Sequence, residues 1–325
     1  MLARLQRWTT VGLILLALVW ALLAWRAGRP AWALAGAVLI VLGYAGVLAL
    51  ECLLMALANR RDSLPAARAG EVLRAWWGEV CAAPRVFCWE QPFRSRRHPD
   101  RPDAPGRRGV LLVHGFVCNR GVWNAWYPRL EAHGIPAIGI DLEPVFAPID
   151  AHVETIDRAV ARLQRGTGLA PVVVAHSMGG LAVRQWLRSV PGASQRVHHV
   201  VTLGTPHRGT ALARFAFSPN TRQMQRDSAW LQALAADEPG ERRALFTCLY
   251  SACDNIVFPT SMATLPGAAA RELRGWAHVH LVGHPAAFDA VLEALARPPA
   301  TALSAPAAPP VAASRGDEPM RPTPR

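Results

Sequence analysis

The sequence predicts an α/β fold, a mainly parallel sheet flanked by helices, preceded by two transmembrane helices. Three observations predict it. Short apolar runs recur at 110–113, 137–140, 172–174, 200–203, 245–250 and 279–282, with helical patterns between most of them. Such alternation is how a parallel sheet wrapped by helices reads in sequence. Two long uncharged stretches come first, and the hexapeptide AHSMGG at 175–180 later sets a serine between a strand run and a helix run.

The 325 residues suffice for one sizeable domain plus accessory segments, and 51% of them are apolar. The excess lies at the front. Residues 8–25 form an uncharged run of 18, which at about 1.5 Å per residue crosses most of a hydrocarbon core of about 30 Å. A second run begins at Ala31, continues to Leu50 without a charge, meets Glu51 and stays apolar to Ala58. Residues 1–61 therefore predict a transmembrane helical hairpin, with Arg26 and Arg29 in its turn and Glu51 at the interface where the second span ends. A charged start with Arg4 and Arg7, an apolar middle and small residues near Ala24 also fit a cleaved signal peptide. The second run would then still anchor the product. Arg4, Arg7, Arg60, Arg61 and Arg68 outnumber the hairpin-loop arginines. The positive-inside rule thus puts both termini and the later domain on the cytoplasmic face of the inner membrane, with a periplasmic domain as the alternative.

The net charge of +12 comes from arginine alone, since the chain has no lysine. A basic domain at a bilayer is drawn to anionic head groups. Nucleic acid is not an expected partner, because no recognition motif or aromatic platform accompanies the arginines. The six cysteines show no CxxC spacing, so no metal site is expected. Cys81 and Cys88 can pair only in an oxidising compartment.

Behind the hairpin, residues 62–109 read as an amphipathic helix and a linker. Val72, Leu73, Trp76, Trp77 and Val80 recur at helical spacing, so this helix either lies on the membrane or docks on the domain. The arginine- and proline-rich stretch 94–108 reads as an exposed loop. The sheet domain covers 110–297, its first strand starting as early as 85. Residues 298–325 are a proline- and alanine-rich tail without apolar period, expected to be disordered.

A serine at a strand–turn–helix junction projects its hydroxyl above the sheet edge, and the next backbone amide points into the same space. Ser177 has this setting. Ala175 stands where the GxSxG pattern has its first glycine, whereas Gly179 and Gly180 let strand and helix backbones approach. An activated serine needs a base and an acid to orient that base, in the chain order serine, acid, histidine. Asp254 in SACDNIVFP and His284 in LVGHPAAF are the candidates, each just beyond a predicted strand. Asp141 precedes the serine, and Asp150 suits a helix start. His278 and His280 alternate along a predicted strand as core or edge histidines, and His176 and His207 lie in turns that suit structural hydrogen bonds. The backbone amides of Met178 and of Phe116, in LLVHGFVCNRGVW, are the candidate oxyanion donors.

The set VLLVHGF, AHSMGG, TLGTPHRGT, SACDNIVFP and LVGHPAAF resembles the α/β-hydrolase fold in its lipase and esterase branch, over residues 86–296. TLGTPHRGT is similar to the segment after the nucleophile helix in bacterial triacylglycerol lipases. Epoxide hydrolases and dehalogenases generally lack it and use an aspartate at the position of Ser177. The resemblance implies hydrolysis of lipid-like or other apolar acyl esters without a cofactor. No acidic cluster near His284 matches the calcium site of some secreted lipases. A phospholipase, thioesterase or acyltransferase would use the same residues, and a catalytically silent membrane-tethered binding protein is the alternative of a different class. Residues 210–243 form an insertion with two short helical patterns, a candidate lid.

Overall fold

The computed structural model describes residues 1–298, so the expected tail lies outside the described residues but for its first position. Four helices lead: α1 (Leu2–Arg26), α2 (Pro30–Leu42), α3 (Tyr44–Asn59) and α4 (Ala69–Pro84), the last followed by a wider turn and the short α5 (Gln91–Arg94). Then come β1 (Val110–Val113), α6 (Tyr127–Ala132), β2 (Ala137–Ile140), α7 (Val153–Thr167), β3 (Val172–His176), α8 (Met178–Ser189) and β4 (His199–Leu203). The insertion supplies α9 (Pro219–Gln223), α10 (Ala229–Ala236) and α11 (Gly240–Ala244). β5 (Phe246–Tyr250), β6 (Ala269–Glu272) and α12 (Pro285–Ala296) follow.

The six strands form one sheet in the order β2-β1-β3-β4-β5-β6, every pair parallel. Its central strands are apolar on both faces, as VLLV and VVVA require, because helices cover both sides. One face packs beneath α7 and α8, where Ile156, Val160 and Leu163 recur at helical spacing and Leu181, Val183 and Trp186 join them. Gly168, with φ at +75°, ends α7. The other face packs beneath α6 and α12 through Trp126, Leu130, Phe288 and Val291.

The sixth strand is not where the apolar pattern put it. Residues 279–282 fall in a tight helical turn over His280–Gly283, and the strand is Ala269–Glu272, about ten residues earlier. A short apolar run does not distinguish a buried strand from a buried turn. Val279, Leu281 and Val282 are apolar because they pack into the cluster of Phe288 and Val291. AARE, on the sheet's edge with its first three residues exposed, has no buried face to impose a pattern.

In the N-terminal helices the second apolar run is broken into two. α1 is long and apolar enough to cross a membrane, but its first turns are fastened to the sheet domain: Leu2 and Gln6 are buried, and Gln6 Nε2 donates to Gln91 Oε1 at 2.9 Å. From Trp8 onward its apolar side chains are largely exposed. α2 and α3 are long and apolar enough to cross a membrane only when taken together, and they are bent by 50° at the break around Gly43. The latter half of α3 lies against the domain, with Cys52 and Met55 packed on Phe258, Ala211 and Leu212. Asn59, at its end, is buried. Glu51, expected at a membrane interface, accepts a 2.7 Å hydrogen bond from Asn255 Nδ2. The amphipathic α4 docks on the domain through Ala75 and Glu79, while Leu73 and Trp77 face outward. All six cysteines are free thiols.

Candidate active site

Ser177 sits between β3 and α8 with φ at +55°, a region that costs a non-glycine residue energy unless its surroundings hold it. They hold it from two sides. The Ser177 N–H donates to Leu203 O at 2.9 Å, and Thr205 Oγ1 donates to Ser177 O at 2.9 Å. A Cβ on Gly180 would lie 2.2 Å from Thr205 Oγ1, and one on Gly179 2.5 Å from His114 O, so only glycine lets α8 start this close to the strand ends. The methyl of Ala175 causes no such conflict, being fully buried in the apolar cluster beneath α8.

Ser177 Oγ lies 2.9 Å from Nε2 of His278, not of His284. On the far side of the ring, His278 Nδ1 lies 2.9 Å from Asp254 Oδ2 and 3.0 Å from Oδ1. This geometry gives the imidazole its Nδ1–H, donated to the carboxylate, and leaves Nε2 to accept from the serine hydroxyl. Asp254 is fixed in turn, since its Oδ1 accepts from the amides of Ile256 (2.9 Å) and Val257 (2.8 Å). Ser177, Asp254 and His278 are nearly sealed from solvent, Ser177 being 6% exposed.

The expected base, His284, serves as the cap of α12: its Nδ1 accepts from the Ala286 amide at 3.1 Å and its ring packs on Trp276. The displacement of the last strand explains the difference. With β6 ending at Glu272, the loop at the sheet's carboxyl edge runs through His278, whereas His284 lies beyond the following turn.

Burial pulls the His278 pKa down, but the charge of Asp254 and its hydrogen bond, with Glu79 and Glu51 behind, more than offset this, and the net shift is upward from 6.5. His176, whose ring centroid lies 4.6 Å from that of His278 with the planes tilted by 44°, is held well below its ordinary value by burial first and by His278 second. Its Nε2 donates to His278 O at 3.1 Å. His207 likewise has a structural bond, 3.0 Å between its Nε2 and Thr202 Oγ1. Asp141 accepts from the Arg120 amide at 2.8 Å, and Asp150 accepts from Gln223 and Trp230 of the insertion.

The loop after β1 closes on the serine. A Cβ on Gly115 would fall 2.6 Å from Ser177 Cβ and 3.2 Å from its Oγ. His114 orients this loop. Its Nε2 accepts from the Leu142 amide at 2.9 Å, so the ring proton is on Nδ1 and is donated to Gly115 O at 2.8 Å. Cys118 N–H donates to the same carbonyl at 3.3 Å. In a planar trans peptide, fixing the Gly115 carbonyl turns the Phe116 N–H the opposite way. Among the described residues neither that N–H nor the Met178 N–H at the start of α8 finds a protein acceptor.

The insertion covers this half of the site. Its residues Ala213, Met224, Leu231 and Leu234 belong to the same apolar cluster as Met178. Asn220 Nδ2 donates to Val145 O at 2.8 Å and lies 3.6 Å from Met178 Sδ. Between α10 and α11, Glu238 receives a fully buried two-pronged bond from Arg184 of α8, at 3.0 and 2.7 Å. Phe215 and Phe217 point outward, 59% and 79% exposed. Among the described residues no three metal-ligating side chains converge.

This is the fold of the α/β hydrolases. The sequence pattern of the family described as alpha/beta hydrolase fold matches residues 109–252, which contain β1 to β5, Ser177 and the insertion. Among solved structures, the mature lipase BlEst2 of Bacillus licheniformis is similar at 19% identity and a TM-score of 0.53, over 61% of this chain and 96% of that one. Aspergillus fumigatus lipase B is similar at 19% identity and a TM-score of 0.52, over 60% of this chain and 54% of that one. Sequence comparison with curated proteins finds no match.

Proposed function

We propose that the protein is a serine ester hydrolase acting on apolar acyl esters at a membrane. The observation that carries this is the unbroken chain from Ser177 Oγ through His278 to Asp254, with both links at 2.9 Å. In this reading His278 Nε2 takes the hydroxyl proton as Ser177 Oγ attacks the ester carbonyl, and the imidazolium then gives that proton to the departing alkoxide. Asp254 keeps the proton-accepting nitrogen turned to the serine and stabilises the cation that forms. The amides of Phe116 and Met178 receive the oxyanion, and their lack of protein acceptors leaves them available for it. Water attacks the acyl-enzyme with His278 again as base, which returns the serine. The lipase character of the similar solved structures supports an ester as the substrate.

Membrane association rests on α1, with both the start of α1 and the end of α3 meeting the domain on one side. In this reading the arginine distribution favours a cytoplasmic domain over a periplasmic one. Ser177 is only 6% exposed, and the insertion is the candidate lid that would open for substrate.

The test is a panel of p-nitrophenyl esters of rising acyl length, given to membranes carrying the wild type or Ser177→Ala. Turnover that rises with chain length and vanishes in the variant is expected; equal turnover by the two would refute the assignment.

A further inference from the structure

The backbone at His278 has no free polar group. Its carbonyl accepts from His176, and its N–H donates to Asn255 Oδ1 at 3.1 Å. The next two amides both donate to one side chain outside the sheet domain: Val279 N–H to Glu79 Oε1 at 3.0 Å, and His280 N–H to Glu79 Oε2 at 2.8 Å. Glu79 belongs to α4, is 2% exposed and has no basic partner within salt-bridge distance among the described residues. A buried carboxylate without a cation is costly unless it is held by donors. Here each oxygen takes one amide, an arrangement that favours the ionised form, the stronger acceptor at both positions. Burial nonetheless pushes the Glu79 pKa upward, with the two amides pulling against it. A second arm runs from α3, where Glu51 accepts from Asn255 Nδ2 at 2.7 Å while Asn255 holds the His278 amide.

We propose that Glu79 is a positioning residue for His278: from α4 it clamps the turn after the histidine and sets its negative charge behind the imidazole. The proposal rests on the assignment of His278 as the base. It makes the N-terminal helices a working part of the site rather than a tether. The groups facing His278 are Asp254 and Ser177 from their own loops, His176 from β3, Glu79 from α4 and Glu51 through Asn255 from α3. Burial holds the His176 pKa well below its ordinary value, and the groups that bias the His278 ring toward the protonated form are the carboxylates.

The test uses the full chain in detergent micelles, with the His278 ring titrated by nitrogen NMR and kcat/KM for a soluble ester followed against pH. Glu79→Gln can accept only one of the two amides and carries no charge. It is expected to lower kcat/KM about 10-fold or more through kcat, and to move both the ring titration and the acid limb to lower pH. Glu79→Asp keeps the charge on a shorter arm, so it is expected to restore the titration while kcat stays low. Glu51→Gln retains the bond from Asn255 and is expected to shift the limb in the same direction by less. A Glu79→Gln titration and acid limb coincident with the wild type would overturn the proposal. Should that variant fail to fold, wild-type kcat in Glu79→Asp would do the same. A wild type inert to fluorophosphonate would instead sink the hydrolase assignment and leave the ring titration to decide the role of Glu79.

Discussion

The two halves of the site are built by different means. Ser177 and the amides of Phe116 and Met178 come from β1, β3 and α8 at the centre of the sheet, and what holds them is near in space and mostly near in sequence: Gly115, His114, Gly180, Thr205 and Leu203 O. Asp254 and His278 come from the loops after β5 and β6, toward the sheet's edge, and helices some 200 residues earlier fix the backbone there. Asn59 Nδ2 donates to Ala252 O at 3.0 Å and Asn59 Oδ1 accepts from the Thr260 amide at 3.0 Å, which pins the acid loop to α3 as Glu79 pins the histidine turn to α4. The nucleophile half is a self-contained motif. The histidine half depends on partners from the N-terminal helices.

The largest expected effect treats the halves as one device. Ser177→Ala and His278→Ala should each lower kcat by about 10⁴-fold or more, and the double variant little further, since the pair acts as a unit; additive losses in steady-state kinetics would mean the two act separately. Next, Gly115→Ala puts a methyl against Ser177 Cβ at 2.6 Å and displaces the Phe116 amide, so kcat should fall about 100-fold. Unchanged kcat there would remove Phe116 from the oxyanion role. Glu238→Ala strands Arg184 in the interior and should cost about 3–5 kcal/mol in denaturant unfolding, with the insertion loosened first. A loss below about 1 kcal/mol, the level of a surface pair, would show that the insertion is not tied to the nucleophile half through α8. The pH profile sharpens the histidine half. In the proposed mechanism His278 must be neutral to act as base and its pKa is raised, so activity is expected above the raised value and lost as pH falls through it, placing the acid limb of kcat/KM above 6.5. A limb below that value would mean that burial outweighs the carboxylates. The smallest effect belongs to His284→Ala, which removes a helix cap and should cost about 1 kcal/mol of stability with little change in kcat.

The same contrast explains what the sequence made legible. β1 to β5 read correctly to within two residues at each end, because strands covered on both faces are continuous apolar runs. AHSMGG and VHGF read correctly as a turn and a loop, because a serine at positive φ and helix starts pressed on strand ends demand small residues at fixed spacing. Asp254 also followed from its place after β5. His278 did not, because the last strand is a polar edge and the apolar run after it is a buried turn, which moved the expected base by six residues. Glu79 gave no signal as a site residue, and Glu51 only a faint one. One sat in an amphipathic helix and the other in an apolar run, and only the packing of α3 and α4 on the domain brings them behind the ring. The one local hint was an acidic side chain on a mostly apolar stretch, Glu51, a position where an ion needs a partner.

The central claim is that His278, and not His284, activates Ser177. Fluorophosphonate labelling of the full-length wild type, Ser177→Ala, His278→Ala and His284→Ala at equal concentration tests it most directly, because only an activated serine reacts. Labelling of the wild type and His284→Ala at similar rates, with none in Ser177→Ala or His278→Ala, is the predicted result; wild-type labelling of His278→Ala, or its loss in His284→Ala, would contradict the account.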